Sequence, residues 1–275
     1  MNFIKLLETL SNKEILDAKG SRRESFNHIK SFGKGVALAS IPFALAATST
    51  KSKAATMSMS SAAFQASNTD VLNFALTLEY LEQEFYAMGL AKMGLIDSAD
   101  KTVFETISTH EDEHVKFLLA ALGDNAVAKP TFDFTGAPGG LNLDPFNDYP
   151  TFMALAQGFE DTGVRAYKGQ AGALANDGDL LEYALQIHSV EARHASQVRR
   201  MRGEKGWITN SENTLPSQFA AIYGGATPES NTVQGGVDLA GKFGSFGGNG
   251  AVTAAFDEPL TMDEVLNIAS IFIVE

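Results

Sequence analysis

The 275-residue chain predicts an all-α protein centred on a four-helix bundle, and three observations carry the prediction. Four segments, 68–92, 98–122, 151–176 and 179–202, repeat apolar residues at helical spacing. Their polar positions match in pairs, so the last two segments read as a repeat of the first two. Between the pairs lies a Pro-, Gly- and Asp-rich stretch, 124–149, in which no helix survives. A bundle made of two hairpins needs a long crossover at that place, between helices 2 and 3. A loop of that length would otherwise count against the assignment.

Residues 1–54 read as a twin-arginine export signal. Arg22 and Arg23 precede an apolar run at 35–47, and Ala44-Leu45-Ala46 and Ser52-Lys53-Ala54 are small-residue cleavage candidates. The run is short for a membrane span, and an uncleaved anchor is the competing reading. The expectation is a periplasmic or otherwise exported protein with no stable membrane span once the signal is removed. That segment holds nine Lys or Arg against four Asp or Glu, and the remainder 12 against 29, a net of −17. Such a chain does not bind nucleic acid or anionic lipid non-specifically.

A Ser-, Ala- and Met-rich linker, 55–68, leads into the bundle, 69–203. On the first helix Ala75, Glu79, Glu82 and Tyr86 share one inward stripe, flanked by Phe74, Leu78, Leu81 and Phe85. On the second, Phe104, Ile107, Glu111, His114 and Leu118 share a face, and Gly123 signals the end. Ala156, Glu160, Gly163 and Tyr167 on the third repeat the stripe of the first, with Gly163 in the place of Glu82. The fourth carries Glu191 and His194. A loop-rich C-terminal extension, 204–275, follows and should pack on the bundle. Its Gly-rich part, 224–250, has no periodicity and reads as a loop, draped or disordered. Thr261 to Glu264 form a capping-box pattern, and Val265, Ile268, Ala269 and Phe272 then fall at the spacing of a short amphipathic helix.

Two Glu-x-x-His motifs, Glu111 with His114 and Glu191 with His194, carry the chemistry. Residues three apart on a helix share a face, so each motif offers a carboxylate beside an imidazole. Glu79 lies 32 residues before Glu111, and Glu160 lies 31 before Glu191. Each upstream Glu has a Tyr seven residues on, Tyr86 and Tyr167, two turns along the same stripe. One such motif alone reads as a surface pair on a solvated helix. Two with nested spacing read as a cage of four carboxylates and two imidazoles inside a bundle, the ligand set of a di-iron or di-manganese site. Glu111 and Glu191 are the natural bridges, and Glu79 and Glu160 the terminal ligands. Oxygen and imidazole donors without sulfur suit two iron or manganese ions.

Four further assignments stay open. Glu82 is a candidate extra ligand, or a group that hydrogen-bonds within the bundle or faces solvent. Tyr86 and Tyr167 either donate to the ligands or serve only in packing. His110 and His188 read as neighbours of the ligands or surface residues rather than as ligands. No Ser/His/Asp arrangement and no phosphate loop stands out.

The stretches LNFALTLEYLEQEFY, ISTHEDEHVKFL, FEDTGVRAY and HSVEARHASQV resemble the ferritin-like superfamily. They look most like the group that includes exported bacterial proteins and plant desiccation-related proteins. The resemblance covers about 70–202, with a weaker echo near the C-terminus. It implies a ferritin-like bundle with Glu79, Glu111, His114, Glu160, Glu191 and His194 as metal ligands. Many di-iron bundles of this kind place an Asp before the Glu of each motif, where it holds a ligand imidazole; here His110 and Val190 occupy those places. The absence of cysteine excludes disulfides and iron–sulfur clusters and argues against a complete rubrerythrin.

The expected function is that of an exported di-metal protein, redox-active or ferroxidase-like, reacting with oxygen, peroxide or ferrous iron. The small reactant is neutral or is ferrous iron, because an acidic chain repels anions. The alternative is a non-enzymatic stress, desiccation-related or structural protein that retains the bundle. A storage shell is disfavoured by the long extension and the missing fifth bundle helix. Homo-oligomerisation stays open.

Overall fold

The computed structural model describes residues 66–274, apart from 244 and 246. The proposed export segment, with Arg22 and Arg23, lies outside the described residues. Four long helices form the bundle: α1 Asn68–Ala91, α2 Lys101–Leu122, α3 Tyr149–Gln170 and α4 Gly178–Met201. None of the described helices is long and apolar enough to cross a membrane.

Local chemistry explains where three of the four bundle helices begin. Ser67 caps α1 in a reciprocal box with Asp70. Asp148 caps α3 through the Thr151 amide, with Pro150 in the first turn, and Asp177 caps α4 through the Leu180 amide. The first and second helices pack as one hairpin and the third and fourth as another. The third helix stops at Gln170, six residues short of the sequence expectation. Gly169 passes so close to the Leu260 carbonyl that a Cβ there would lie 1.9 Å from it. The extension packs against the side of the last turns of α3, and Gly172, a poor helix former, follows at once.

The crossover is anchored rather than loose. Its strand β1, Thr131–Phe132, pairs antiparallel with the C-terminal strand β4, Ile273–Val274. The Asp133 amide adds a bond to the Phe272 carbonyl at 2.8 Å. Beneath this clip Phe85, Phe134, Phe152, Phe159 and Phe272 form an aromatic core. Phe85 stacks on Phe152 with centroids 4.7 Å apart, and Phe159 meets Phe272 edge-on at 5.1 Å. Gly89 makes the close approach possible, since a Cβ would fall 2.3 Å from the Phe152 ring.

The described residues of the Gly-rich part include short regular elements. Strands β2, Val233–Gln234, and β3, Val237–Asp238, form a hairpin. Gly235 and Gly236 close it with φ of 58° and 79°, the left-handed conformation that a two-residue turn demands. Two short helices follow, α5 Ala240–Phe243 and α6 Gly248–Thr253. Helix α7, Met262–Ala269, carries the expected capping box from Thr261 to Glu264 and buries Val265, Ile268 and Ala269.

One side chain ties the extension to the bundle. Arg165 of α3 is fully buried and pairs with Glu229 at 2.9 Å. It donates to the carbonyls of Ile222, Gly224, Thr227, Glu258 and Pro259. Only a guanidinium has enough donors in one plane to serve so many acceptors. Beside it Arg199 bonds Asp161 at 2.5 Å, and the Tyr223 hydroxyl donates to the same carboxylate at 2.7 Å. These buried charges have partners, as burial requires.

Candidate metal centre

All four bundle helices send polar side chains to the bundle centre. Glu79 comes from α1, Glu111 and His114 from α2, Glu160 from α3, and Glu191 and His194 from α4. The four carboxylates are completely buried, and the imidazoles nearly so. Two groups of donors result, each with its atoms within 4.8 Å of one another: Glu79, Glu111, His114 and Glu191, and Glu111, Glu160, Glu191 and His194. Glu111 and Glu191 belong to both.

The imidazoles face inward through Nδ1. His114 Nδ1 lies 3.0 Å from Glu111, 3.1 Å from Glu79 and 3.4 Å from Glu191. His194 Nδ1 lies 3.0 Å from Glu111 and 3.2 Å from Glu160. Short distances do not make all of these hydrogen bonds. His194 Nδ1, both oxygens of Glu191, one of Glu111 and one of Glu160 are buried without a hydrogen-bond partner. An orphaned buried acceptor is costly, and five in one small volume are not accounted for by protein partners. A cation at the centre of each group would satisfy them together, so the residues present fit a pair of metal ions.

Protons hold the charge balance in the metal-free cage. Burial, followed by the other carboxylates, pushes Glu191 and Glu82 well above the usual range. Burial also dominates at Glu79, which rises to about 7 despite the hydrogen bond with His114. Against burial, contacts with Glu111 and Glu79 raise His114 to about 10, and Glu160 and Glu111 raise His194 to about 10. Glu111 also resists burial, because His114 bonds one of its oxygens and the His194 imidazole lies close to the other, and falls to about 2. Cations and protons compete for the same lone pairs here.

The tyrosines do more than fill space. Tyr86 donates its hydroxyl hydrogen to Glu160, and Tyr167 donates to Glu79. Each terminal carboxylate is therefore oriented by a phenol from the other half of the repeat. Glu82 is buried beside the cage. Its counterpart Gly163 provides the room: a Cβ there would lie 2.8 Å from Glu191 Oε2 and 3.4 Å from Glu82 Oε1. His110 reaches the site's edge, with Nδ1 2.9 Å from His194 Nε2. The structure places His188 elsewhere, against the Val164 backbone and near Asp257 and Lys168, with its Nδ1 unpartnered.

Sequence reasoning missed the Arg165–Glu229 and Asp161–Arg199–Tyr223 clusters. Their partners lie far apart in the chain, and no local spacing announces them. A family model described as a ferritin-like domain matches residues 67–204. No curated protein is similar enough to match.

Proposed function

The chain belongs to the ferritin-like domain family, and from that premise we propose that it is an exported di-metal protein of iron or manganese. The observation that carries the reading is the set of unpartnered lone pairs converging from four helices. Glu111 and Glu191 would bridge the ions, Glu79 with His114 would complete one ligand set, and Glu160 with His194 the other. Hard oxygen donors with two imidazoles favour iron or manganese, and four carboxylates offset the charge of two divalent ions.

Bound there in reduced form, the two ions would supply the electrons that reduce oxygen or peroxide, with ferrous iron as a reductant that would restore them. The chain's own part is to hold, enclose and select. Tyr86 and Tyr167 fix the terminal carboxylates, and placement on packed helices makes the donors rigid. The buried cage keeps bulk water and large reductants away from the centre. The net −17 beyond residue 54 draws cations and repels anions. Ferrous iron or a small neutral oxidant is therefore the reactant class. Export is proposed from residues 1–54.

Full enclosure of the ligands also suits a non-enzymatic stress or structural protein, in which metal would stiffen the bundle. Stopped-flow absorption of the reduced, metal-loaded protein separates the two. The proposed activity requires a spectral change within seconds of mixing with peroxide or oxygen. A spectrum constant over minutes, with both ions bound, would leave only the structural reading.

A further inference from the structure

The two halves of the cage match in terminal Glu, bridging Glu, His and Tyr, but differ in what stands behind each imidazole. His110 Nδ1 lies 2.9 Å from His194 Nε2, and the two rings are nearly parallel, 11° apart. His194 Nδ1 faces Glu111 and Glu160 and has no hydrogen-bond partner. For that nitrogen to offer a lone pair, the ring proton must sit on Nε2, where His110 Nδ1 accepts it. His110 then carries its own proton on Nε2, at the exposed edge of the bundle. This bond selects both the tautomer and the ring orientation that a metal requires.

His114 has no such support. Its contacts with protein acceptors are made through Nδ1. Among the described residues no hydrogen bond reaches its Nε2. The residue before Glu191 is Val190, which has no polar side-chain atom to offer. The His114 ring is therefore held only on its ligand side, whereas the His194 ring is also held through Nε2 by His110.

From this difference we infer that the cage is two unequal metal subsites: His110 is a positioning residue, and the Glu160–His194 subsite fills before the Glu79–His114 subsite. The inference rests on the di-metal reading given above. Loss of an outer-shell partner to a ligating imidazole costs about 10- to 100-fold in metal affinity, which sets the size of the expected gap.

The test is an anaerobic titration of the metal-free full chain with Co²⁺, followed by calorimetry and by visible absorption. The wild type should show two resolved steps, the first at least about tenfold tighter. His194→Ala should remove the first step and His114→Ala the second. His110→Val should merge the steps by weakening the first, while His110→Gln, which keeps an acceptor, should restore part of the gap. Proton NMR of the one-equivalent Co²⁺ form should show one slowly exchanging, strongly shifted imidazole N–H, lost in His110→Val. A thermal melt of each metal-free variant checks that the fold persists. Two ions entering the wild type in a single step would overturn the inequality alone, as would unchanged steps in His110→Val. A chain that takes up no Co²⁺ would overturn the di-metal reading and the inference with it.

Discussion

Gly163→Ala should separate stability from metal binding. Gly163 lies within helix α3, where Ala is favoured over Gly by about 1 kcal/mol. The new methyl would start 2.8 Å from Glu191 Oε2 and 3.4 Å from Glu82 Oε1. A carbon–oxygen contact of 2.8 Å is too short, so something must move. Without metal, the flexible end of Glu191 swings aside. The repacking cost, ordinarily about 1–3 kcal/mol for an added methylene, then falls to the low end of that range or below. The helix gain nearly offsets it, and metal-free stability should change by less than about 1 kcal/mol. Glu191 belongs to both donor groups, so bound ions would hold its oxygens and oppose that movement. Affinity should drop at least about tenfold for both ions, as when support for a ligand is lost. Urea unfolding of the metal-free protein and competition with a chelator give the two numbers. Unaltered affinity with unaltered stability would refute the reasoning. So would a metal-free destabilisation beyond about 3 kcal/mol, which would mean that the space at Gly163 serves packing alone.

Three further outcomes follow from the same structure. Arg165→Met leaves Glu229 and five carbonyls without their donor, a loss of about 3–5 kcal/mol that should appear as fast hydrogen exchange in 204–275 while α1 and α2 stay protected. The metal-free protein should lose stability as pH rises. Glu79 at about 7 and both cage imidazoles at about 10 hold their protons more tightly in the folded state than their ordinary values of 4.5 and 6.5 allow, so stability falls between pH 4.5 and 7 and again between 6.5 and 10. Glu111, at about 2, acts oppositely and lowers stability only below pH 4.5, and metal loading should flatten the upper slope of melting temperature against pH. Replacing Arg22 and Arg23 together by Lys should leave the precursor in the cytoplasm, and fractionation that finds it exported would exclude the twin-arginine route.

Much of the bundle was legible because its signals are local and repeated. Helical stripes, caps and the doubled spacing of Glu79, Glu111, Glu160 and Glu191 depend only on helix geometry. The tyrosines show where that logic stops. Seven-residue spacing places Tyr86 on the stripe of Glu79, yet its hydrogen goes to Glu160, because the partner is chosen by how the hairpins face each other. Arg165 carries no local signal, since five of its acceptors are carbonyls in the extension and carbonyls leave no mark on a sequence. The hairpin at 233–238 was readable from Gly235-Gly236 between short β-prone pairs, and was obscured by the glycine content around it. The close approach of Leu260 to Gly169 joins residues about ninety apart and leaves no local signal.

The central claim is that four helices aim six side chains at a pair of ions. It is tested most directly by anomalous diffraction from crystals of the metal-replete protein, with data on both sides of the iron and manganese edges. Two peaks are expected, one among Glu79, Glu111, His114 and Glu191 and the other among Glu111, Glu160, Glu191 and His194, about 3.5–4 Å apart as in other two-metal sites. A replete crystal with no peak in the cage, or with metal only on the surface carboxylates, would contradict it.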